Sequence, residues 1–265
     1  MQTPQSSSEE KYPVPKAALV TGAAKRIGRA IALDLADAGY AVAVHYNASV
    51  EDAEDLVNLI KARDGKAISL RADLTREADV RMLMNMAVEA LGPIGCLVNN
   101  ASVFEYDAPE TATRESWDEH MEANLRAPFV LMQQMTFALP QDAGGVIINL
   151  LDERVWALTP HFTTYTLSKV GLWALTQTLA LSLAPRIRVN GIGPGPALPN
   201  KRQTDEQFAK QAASVPLKRP TSPREICRTI RYILDAPSMT GQMIALDGGQ
   251  HLGWGFPEKA RFIEE

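Results

Sequence analysis

Cysteine is nearly absent from this chain of 265 residues: Cys96 and Cys227 are its only two, far apart and in no paired motif. That excludes a disulfide framework or a cysteine-based metal site and points to two reduced, packed thiols. The four histidines show no metal-ligand spacing, so no metal is expected. Basic runs are missing and the net charge is -4, which leaves no electrostatic footprint for nucleic acid. No apolar stretch approaches the roughly 18 residues of a membrane helix. Met1 to Tyr12 are polar and lack the basic-then-apolar order of a signal peptide. A cytoplasmic protein is expected, with residues 1–14 as a flexible tail.

What is present is enough apolar residue for a large core, 46% against 22% charged. It falls in alternating strand and helix patterns. The run Ala17-Ala-Leu-Val-Thr21 leads through a glycine turn into a helix with Ile27, Ile31, Leu35 and Ala38 apolar. A second strand spans Tyr40 to Ser49, and Val50 opens the next helix. Further strands are expected at Lys66 to Arg71, Ile94 to Val98, Gly145 to Leu151, Ile187 to Ile192 and Met243 to Leu246. Helices are expected over about Arg76 to Leu91, Glu115 to Ala138, and around Tyr165 to about Leu183. No repeat or linker interrupts them. The order predicts an α/β domain over 15–265, a doubly wound parallel sheet of about seven strands flanked by helices. Its ligands belong at the C-terminal edge of the sheet. Residues 250–265 are expected as a tail near the site or a subunit interface.

The stretch Gly22-Ala-Ala-Lys25-Arg26-Ile27-Gly28 sits between a strand and a helix, the context a dinucleotide fingerprint requires. Gly22 permits the turn, Gly28 lets the helix pack closely, and the first-turn amides face a pyrophosphate. Arg26 stands where the motif has its middle glycine. It brings a permanent charge and a planar fork, an anion clamp gained at the cost of close backbone approach. The second strand ends His45-Tyr46-Asn47-Ala-Ser49 with no acid between Gly39 and Ser49. An acid there would bind a ribose 2′-hydroxyl and repel a 2′-phosphate, so its absence favours NADP. Asn47 and Ser49 are candidate donors to that phosphate. Ser49, with Asp52 three residues on, also looks like a helix N-cap.

Asp152, Tyr165 and Lys169 carry the chemistry. Tyrosine and lysine at i and i+4 share a helix face, where an ammonium can lower the phenol's pKa. Bringing an ordinary phenol from near 10 to neutrality is worth about 4 kcal/mol. A carboxyl group beside that pair suits a nitrogen heterocycle better than a simple ketone. Asp152 has other uses open to it, pairing with Arg154 or capping the segment before Trp156.

Taken together, Thr21-Gly22…Gly28, Ala72-Asp73-Leu74, Asn99-Asn100-Ala101, Asn124, Tyr165…Lys169, Asn190-Gly191…Pro194-Gly195 and Asp247-Gly248-Gly249 resemble the short-chain dehydrogenase/reductases over roughly residues 16–250. That likeness implies a Rossmann-type fold. Within the family the chain looks most like the pteridine reductases and bacterial dihydrofolate/dihydromonapterin reductases. Arg26 in place of glycine and Asp152 in place of serine carry that narrower likeness, with His45-Tyr46…Ser49 and Asn-Ala-Ser102-Val-Phe104. The resemblance implies Tyr165 as proton donor, Lys169 on the nicotinamide ribose, and Asn124 holding a relay water. It implies that Asp152 orients and helps protonate a pterin, Arg26 and Ser102 reach phosphate and pterin edge, and Phe104 stacks on the ring. Asp73 and Leu74 would contact adenine, Asn99 and Ala101 the adenosine ribose region, and Pro194-Gly195 the nicotinamide amide. Gly22, Lys25, Ile27, His45, Tyr46, Asn47 and Ser49 complete the cofactor set. A homotetramer built on the two long helices is the family's habit.

The residues themselves leave Phe104 open between core packing and a floor for a flat ring. His161 and Phe162 could line the pocket or only cover it. Pro196 to Phe208 is a short substrate segment, whose Lys201 and Arg202 meet either a folate glutamate tail or water. Competing functions are a carbonyl or oxoacyl reductase, for which serine at 152 would suffice, and a non-catalytic NADP sensor. Sensors tend to lose the tyrosine or lysine, and this chain keeps both.

Overall fold

The computed structural model describes residues 11–200 and 202–253. Seven strands form one sheet: β1 Ala17–Val20, β2 Ala41–Tyr46, β3 Ala67–Arg71, β4 Cys96–Asn99, β5 Gly145–Leu150, β6 Ile187–Pro194 and β7 Met243–Leu246. Every pairing is parallel, in the order β3-β2-β1-β4-β5-β6-β7. Strand order reverses between β1 and β4, which opens a crevice there at the C-terminal edge.

The helices are α1 Arg26–Asp37, α2 Val50–Lys61, α3 Glu77–Leu91, α4 Arg114–Met121, α5 Ala127–Ala138, α6 Thr163–Leu183, α7 Asp205–Ser214 and α8 Pro223–Leu234. They cover both faces of the sheet, as a parallel sheet requires. Ile31 and Leu35 of α1, Leu56 and Ile60 of α2, and Ile226, Ile230 and Ile233 of α8 fill one side. Leu83 and Met84 of α3, Leu131, Met132 and Met135 of α5, and Leu172 of α6 fill the other. Burying each such side chain contributes about 1.5–3 kcal/mol. Among the described residues no helix is long and apolar enough to cross a membrane.

Three differences from expectation have physical causes. The helix expected over 115–138 is broken by a π turn, Glu122–Arg126, where the Ala127 amide bonds back to the Glu122 carbonyl. Pro128 has no N–H to give the Asn124 carbonyl, so a regular helix cannot run through this point. The expected tail is already attached before residue 14: the Pro13 carbonyl accepts from the Gly144 amide at 3.0 Å. Finally, α7 begins inside the substrate segment and α8 follows it, started by the Thr204–Gln207 capping box and by Ser222 before Pro223.

Candidate active site

At the crevice, Gly22 adopts φ +60 and Thr21 Oγ1 accepts from the Asn100 and Ala101 amides, both at 3.0 Å. A Cβ on Gly22 would lie 3.0 Å from Ala101 Cα, and one on Gly28 would lie 2.2 Å from the Gly22 carbonyl oxygen. Only glycine fits at Gly28. Helix α1 begins at Arg26 with no side-chain cap and no acid in its first turn. Its first amides therefore have no side-chain acceptor and suit an anion. Arg26 is in the left-handed region, φ 53, where glycine would be unstrained. Its guanidinium donates to the carbonyls of Pro199 (2.8 Å) and Leu198 (3.4 Å), tying the turn to the substrate segment.

Several residues expected on the cofactor have other duties. His45 is 2% exposed. The Gly22 amide donates to its Nδ1 (3.0 Å), which leaves the proton on Nε2 to be donated to the Ala72 carbonyl (3.1 Å). Burial pushes its pKa down to about 4. His45 thus braces the turn from below instead of facing a ligand. The Asn99 side chain is buried and donates to Asn149 Oδ1 at 2.8 Å, and Leu74 is turned into the core. Lys25 pairs with Asp52 at 2.8 Å, so Ser49, at the α2 N-cap position, makes no capping-box bond. Asp73 Oδ1 accepts from the amide and hydroxyl of Thr75, which lowers its pKa. Tyr46 is half-buried and Asn47 exposed at the end of β2.

The other end of the crevice is tightly built. After β5, Asp152 Oδ1 accepts from the Arg154 amide at 2.9 Å and caps the short turn Glu153–Val155. Its Oδ2 accepts from the Tyr165 hydroxyl at 2.7 Å and lies 3.5 Å from Arg154 Nη1. Asp152 therefore meets the Tyr165 hydroxyl while also capping the segment before Trp156 and pairing with Arg154. Lys169 Nζ donates to the Leu150 carbonyl at 2.8 Å, and two of its three donors remain for a ligand. Burial holds its pKa down to about 8, against the charge of Asp152. The Tyr165 phenol is raised well above 10, first by burial and then by the Asp152 charge. This reverses the lowering by Lys169 that the i,i+4 spacing predicts.

Asn124, in the π turn, spends its side chain on Val103 and Ser168: Oδ1 accepts from the Val103 amide (2.8 Å), and Nδ2 donates to the Val103 carbonyl (2.9 Å) and Ser168 Oγ (3.1 Å). A relay water would therefore have only its main-chain carbonyl, which Pro128 deprives of the usual helical donor. Next to Asn124 in space runs the segment 102–107. Asp107, Thr164 and His120 are buried together: Thr164 Oγ1 donates to Asp107 Oδ2 and lies 2.7 Å from His120 Nδ1. His120 Nε2 accepts from the Glu105 amide at 3.1 Å.

Phe104 stacks on Phe162, 4.4 Å between centroids and 9° between planes, and meets the Tyr165 ring edge-on at 4.7 Å. The ring expected as a floor for a flat substrate already has one face covered by Phe162. Arg154 and Arg202 lie over this aromatic pair at 5.4–6.0 Å. Arg202 also donates to Glu105 Oε2 (2.5 Å) and the Phe104 carbonyl (3.0 Å). In this structure its guanidinium is paired with protein groups. Lys201 lies outside the described residues, as do Trp254 and the rest of the C-terminal tail.

The cleft at this spot is lined by Arg26, Ile27, Ser102, Phe104, Asp152, Tyr165, Lys169, Pro194 and Gly195, all expected. It is also lined by Gln203 and Gln250, from the expected substrate segment and tail, by Arg154, expected only as a partner of Asp152, and by Gln211, which was not expected. A polar residue just past Asp247-Gly248-Gly249 was the available signal for Gln250. Among the described residues no cluster of three His, Cys, Asp or Glu could hold a metal ion.

Residues 22–251 match the family model described as enoyl-(acyl carrier protein) reductase. The chain belongs to the short-chain dehydrogenase/reductase family. It is therefore an oxidoreductase by family. This short-chain reductase is 33% identical to the 3-oxoacyl-(acyl-carrier-protein) reductase FabG of Staphylococcus epidermidis, covering 89% of this chain and 99% of that one. Among solved structures it is similar to FolM alternative dihydrofolate reductase 1 from Brucella canis complexed with NADP. That similarity has 48% identity, a TM-score of 0.90, and coverage of 94% of this chain and 99% of that chain. It is also similar to a blue fluorescent protein from a metagenomic library in complex with NADPH, at 33% identity and a TM-score of 0.82, covering 88% of this chain and 97% of that chain.

Proposed function

We propose that this short-chain reductase uses NADPH to reduce a C=N bond of a pterin or dihydrofolate-type ring. The observation that carries the reading is the 2.7 Å bond from the Tyr165 hydroxyl to Asp152 inside the cleft. The NADP complex of the 48% identical Brucella protein, titled an alternative dihydrofolate reductase, supports it.

The residues fit the cofactor. The uncapped start of α1, with Gly22, Arg26 and Ile27, would hold the pyrophosphate, and Lys25, Asn47 and Ser49 the 2′-phosphate. Tyr46, Asp73, Asn99 and Ala101 border the adenosine end, the last two by backbone. Lys169 would bind the nicotinamide ribose, with Pro194 and Gly195 beside the ring. Bound NADPH supplies the hydride.

The protein supplies orientation and the proton. A carboxylate accepts N–H groups along the edge of an aminated heterocycle, and Asp152 offers one 2.7 Å from the phenol oxygen. Tyr165 stays protonated at neutral pH because burial and Asp152 hold its pKa up. A ring nitrogen gaining an electron pair is a much stronger base than a phenolate, so even this raised phenol can donate to it. Lys169 and Arg154 then offset the phenolate's charge. Ser102 borders the ring edge, and Phe104, backed by Phe162, gives it an apolar wall.

NADPH oxidation measured with dihydrobiopterin, dihydrofolate, dihydromonapterin and a panel of ketones tests this. Turnover of ketones without any pterin would end the reading. It would favour the second, an oxoacyl or carbonyl reductase, which the FabG likeness supports. Asp152→Ser separates the two further: pterin turnover should fall about 10²-fold if the carboxylate aids proton delivery.

We further propose one reductase unit over residues 15–265 that assembles as a cytoplasmic homotetramer through α5 and α6. Their outer surfaces carry Phe137 and Leu181, 74% and 84% exposed. A solution mass of four times the 29.0 kDa chain is the expected result.

A further inference from the structure

We infer that Gln250 is a ligand-binding residue whose side-chain oxygen accepts a hydrogen bond from an N–H group of the molecule bound in the cleft. This rests on reading the cleft as a nicotinamide and heterocycle site.

Gln250 opens the short turn Gln250–Leu252 directly after β7 and the pair Gly248 and Gly249, at φ 63 and 84. The backbone on both sides of it is pinned by one buried carboxylate. Asp247 Oδ1 accepts from the Gly249 amide at 3.0 Å. Its Oδ2 accepts from the His251 amide at 2.8 Å and lies 2.6 Å from His251 Nδ1. The Gln250 amide itself donates to the Asp247 carbonyl at 3.1 Å. So the direction of this side chain is set by its own turn.

That direction is into the cleft, which Gln250 lines. Its Oε1 is buried and has no hydrogen-bond partner. Gly195 lies beside it: a Cβ there would come 3.2 Å from Oε1, so the missing side chain leaves space next to the oxygen. The Gly195 amide cannot serve as donor, because it bonds to the Leu246 carbonyl at 3.0 Å. Native proteins rarely leave a buried acceptor unmatched, and an exception in a cleft points to a partner that arrives with the ligand. Among the described residues the other buried side-chain atoms without a partner, Asn99 Oδ1 and Thr166 Oγ1, belong to residues that do not line this cleft.

An acceptor calls for an N–H. Two sources carry one here, the carboxamide of the nicotinamide and the aminated edge of a pterin. Both are tested by comparing NADP with its 3-acetylpyridine analogue, which lacks the carboxamide N–H, on wild type and on Gln250→Leu. If the cofactor is the source, wild type binds NADP about tenfold more tightly than the analogue and Gln250→Leu loses that preference, the scale of one hydrogen bond. If the substrate is the source, both cofactors bind both proteins alike, and KM for the dihydropterin rises about tenfold in the variant. Equal cofactor affinities together with an unchanged KM overturn the inference. If Gln250→Leu misfolds, Gln250→Met takes its place, and matching thermal unfolding guards both arms. A wild type that binds no NADP at all sinks the reading of the cleft instead, a separate result.

Discussion

At the proton end of the cleft, Tyr165 and Lys169 are buried and, with Asp152, bonded to one another or to the Leu150 carbonyl. At the turn end, Lys25 and Arg26 are exposed, and their bonds go to Asp52 and to the carbonyls of Leu198 and Pro199. The contrast follows from the work proposed for each end. Proton transfer requires heavy atoms about 3 Å apart, so its groups are fixed by protein partners before any ligand arrives. Anion binding needs only charge and free amides, and exposed ion pairs exchange partners at small cost.

The sharpest way to break this contrast is Tyr165→Phe. Under the proposed mechanism turnover falls about 10²–10⁴-fold while NADPH affinity is retained, since the hydroxyl moves a proton and anchors nothing. Titration with NADPH beside steady-state rates checks it, and retained rate with lost affinity would contradict the assignment. Next in size is a pH effect from the same end. Lys169 is charged below about pH 8 and neutral above it. If its cation offsets the phenolate, kcat/KM drops about tenfold per pH unit above 8. A level profile from pH 7 to 10 would remove that role.

Below the turn end, His45 makes a stability prediction. Its pKa is about 4 in the folded chain against 6.5 unfolded. Above pH 6.5 it is neutral in both states. As the pH falls from 6.5 toward 4 the unfolded chain takes up the proton first, so stability is lost over that window. The loss amounts to up to about 3 kcal/mol. Urea unfolding at pH 7 and pH 5 measures it, and His45→Asn should flatten the difference. The smallest effect belongs to the exposed Lys25–Asp52 pair: Asp52→Ala should change stability by less than about 1 kcal/mol. A larger loss in the same urea assay would mean the turn end is as rigidly built as the proton end.

Much of this was legible in the chain, and the misses have separate causes. Strands and helices followed from alternating apolar patterns because a parallel sheet buried on both faces leaves little else for such runs to do. The 152–165–169 spacing located the proton end because a helix turn fixes it. Pro128 was a signal for the π turn that a single helical stretch over 115–138 left unused. Helix α8, with Ile226, Ile230 and Ile233 behind Ser222 and Pro223, was readable from the same periodicity. It went unread between the Pro194-Gly195 and Asp247-Gly248-Gly249 motifs. His45 was placed on the cofactor by family resemblance, through the His45-Tyr46…Ser49 strand end. Its burial depends on a bond to Gly22, 23 residues earlier, and on the carbonyl of Ala72, 27 residues later. Spacing along one element does not encode such contacts. The same holds for Arg202, paired with Glu105 across 97 residues.

Asp107, Thr164 and His120 fasten the stretch bearing Phe104 to the first turn of α6, one residue before Tyr165. The aromatic wall and the acid consequently travel as a single piece. Selection can reshape the rim around residues 203–214 to admit a different molecule without disturbing that piece, to which Arg202 is bonded. A change among the three fasteners would detune recognition and reaction together.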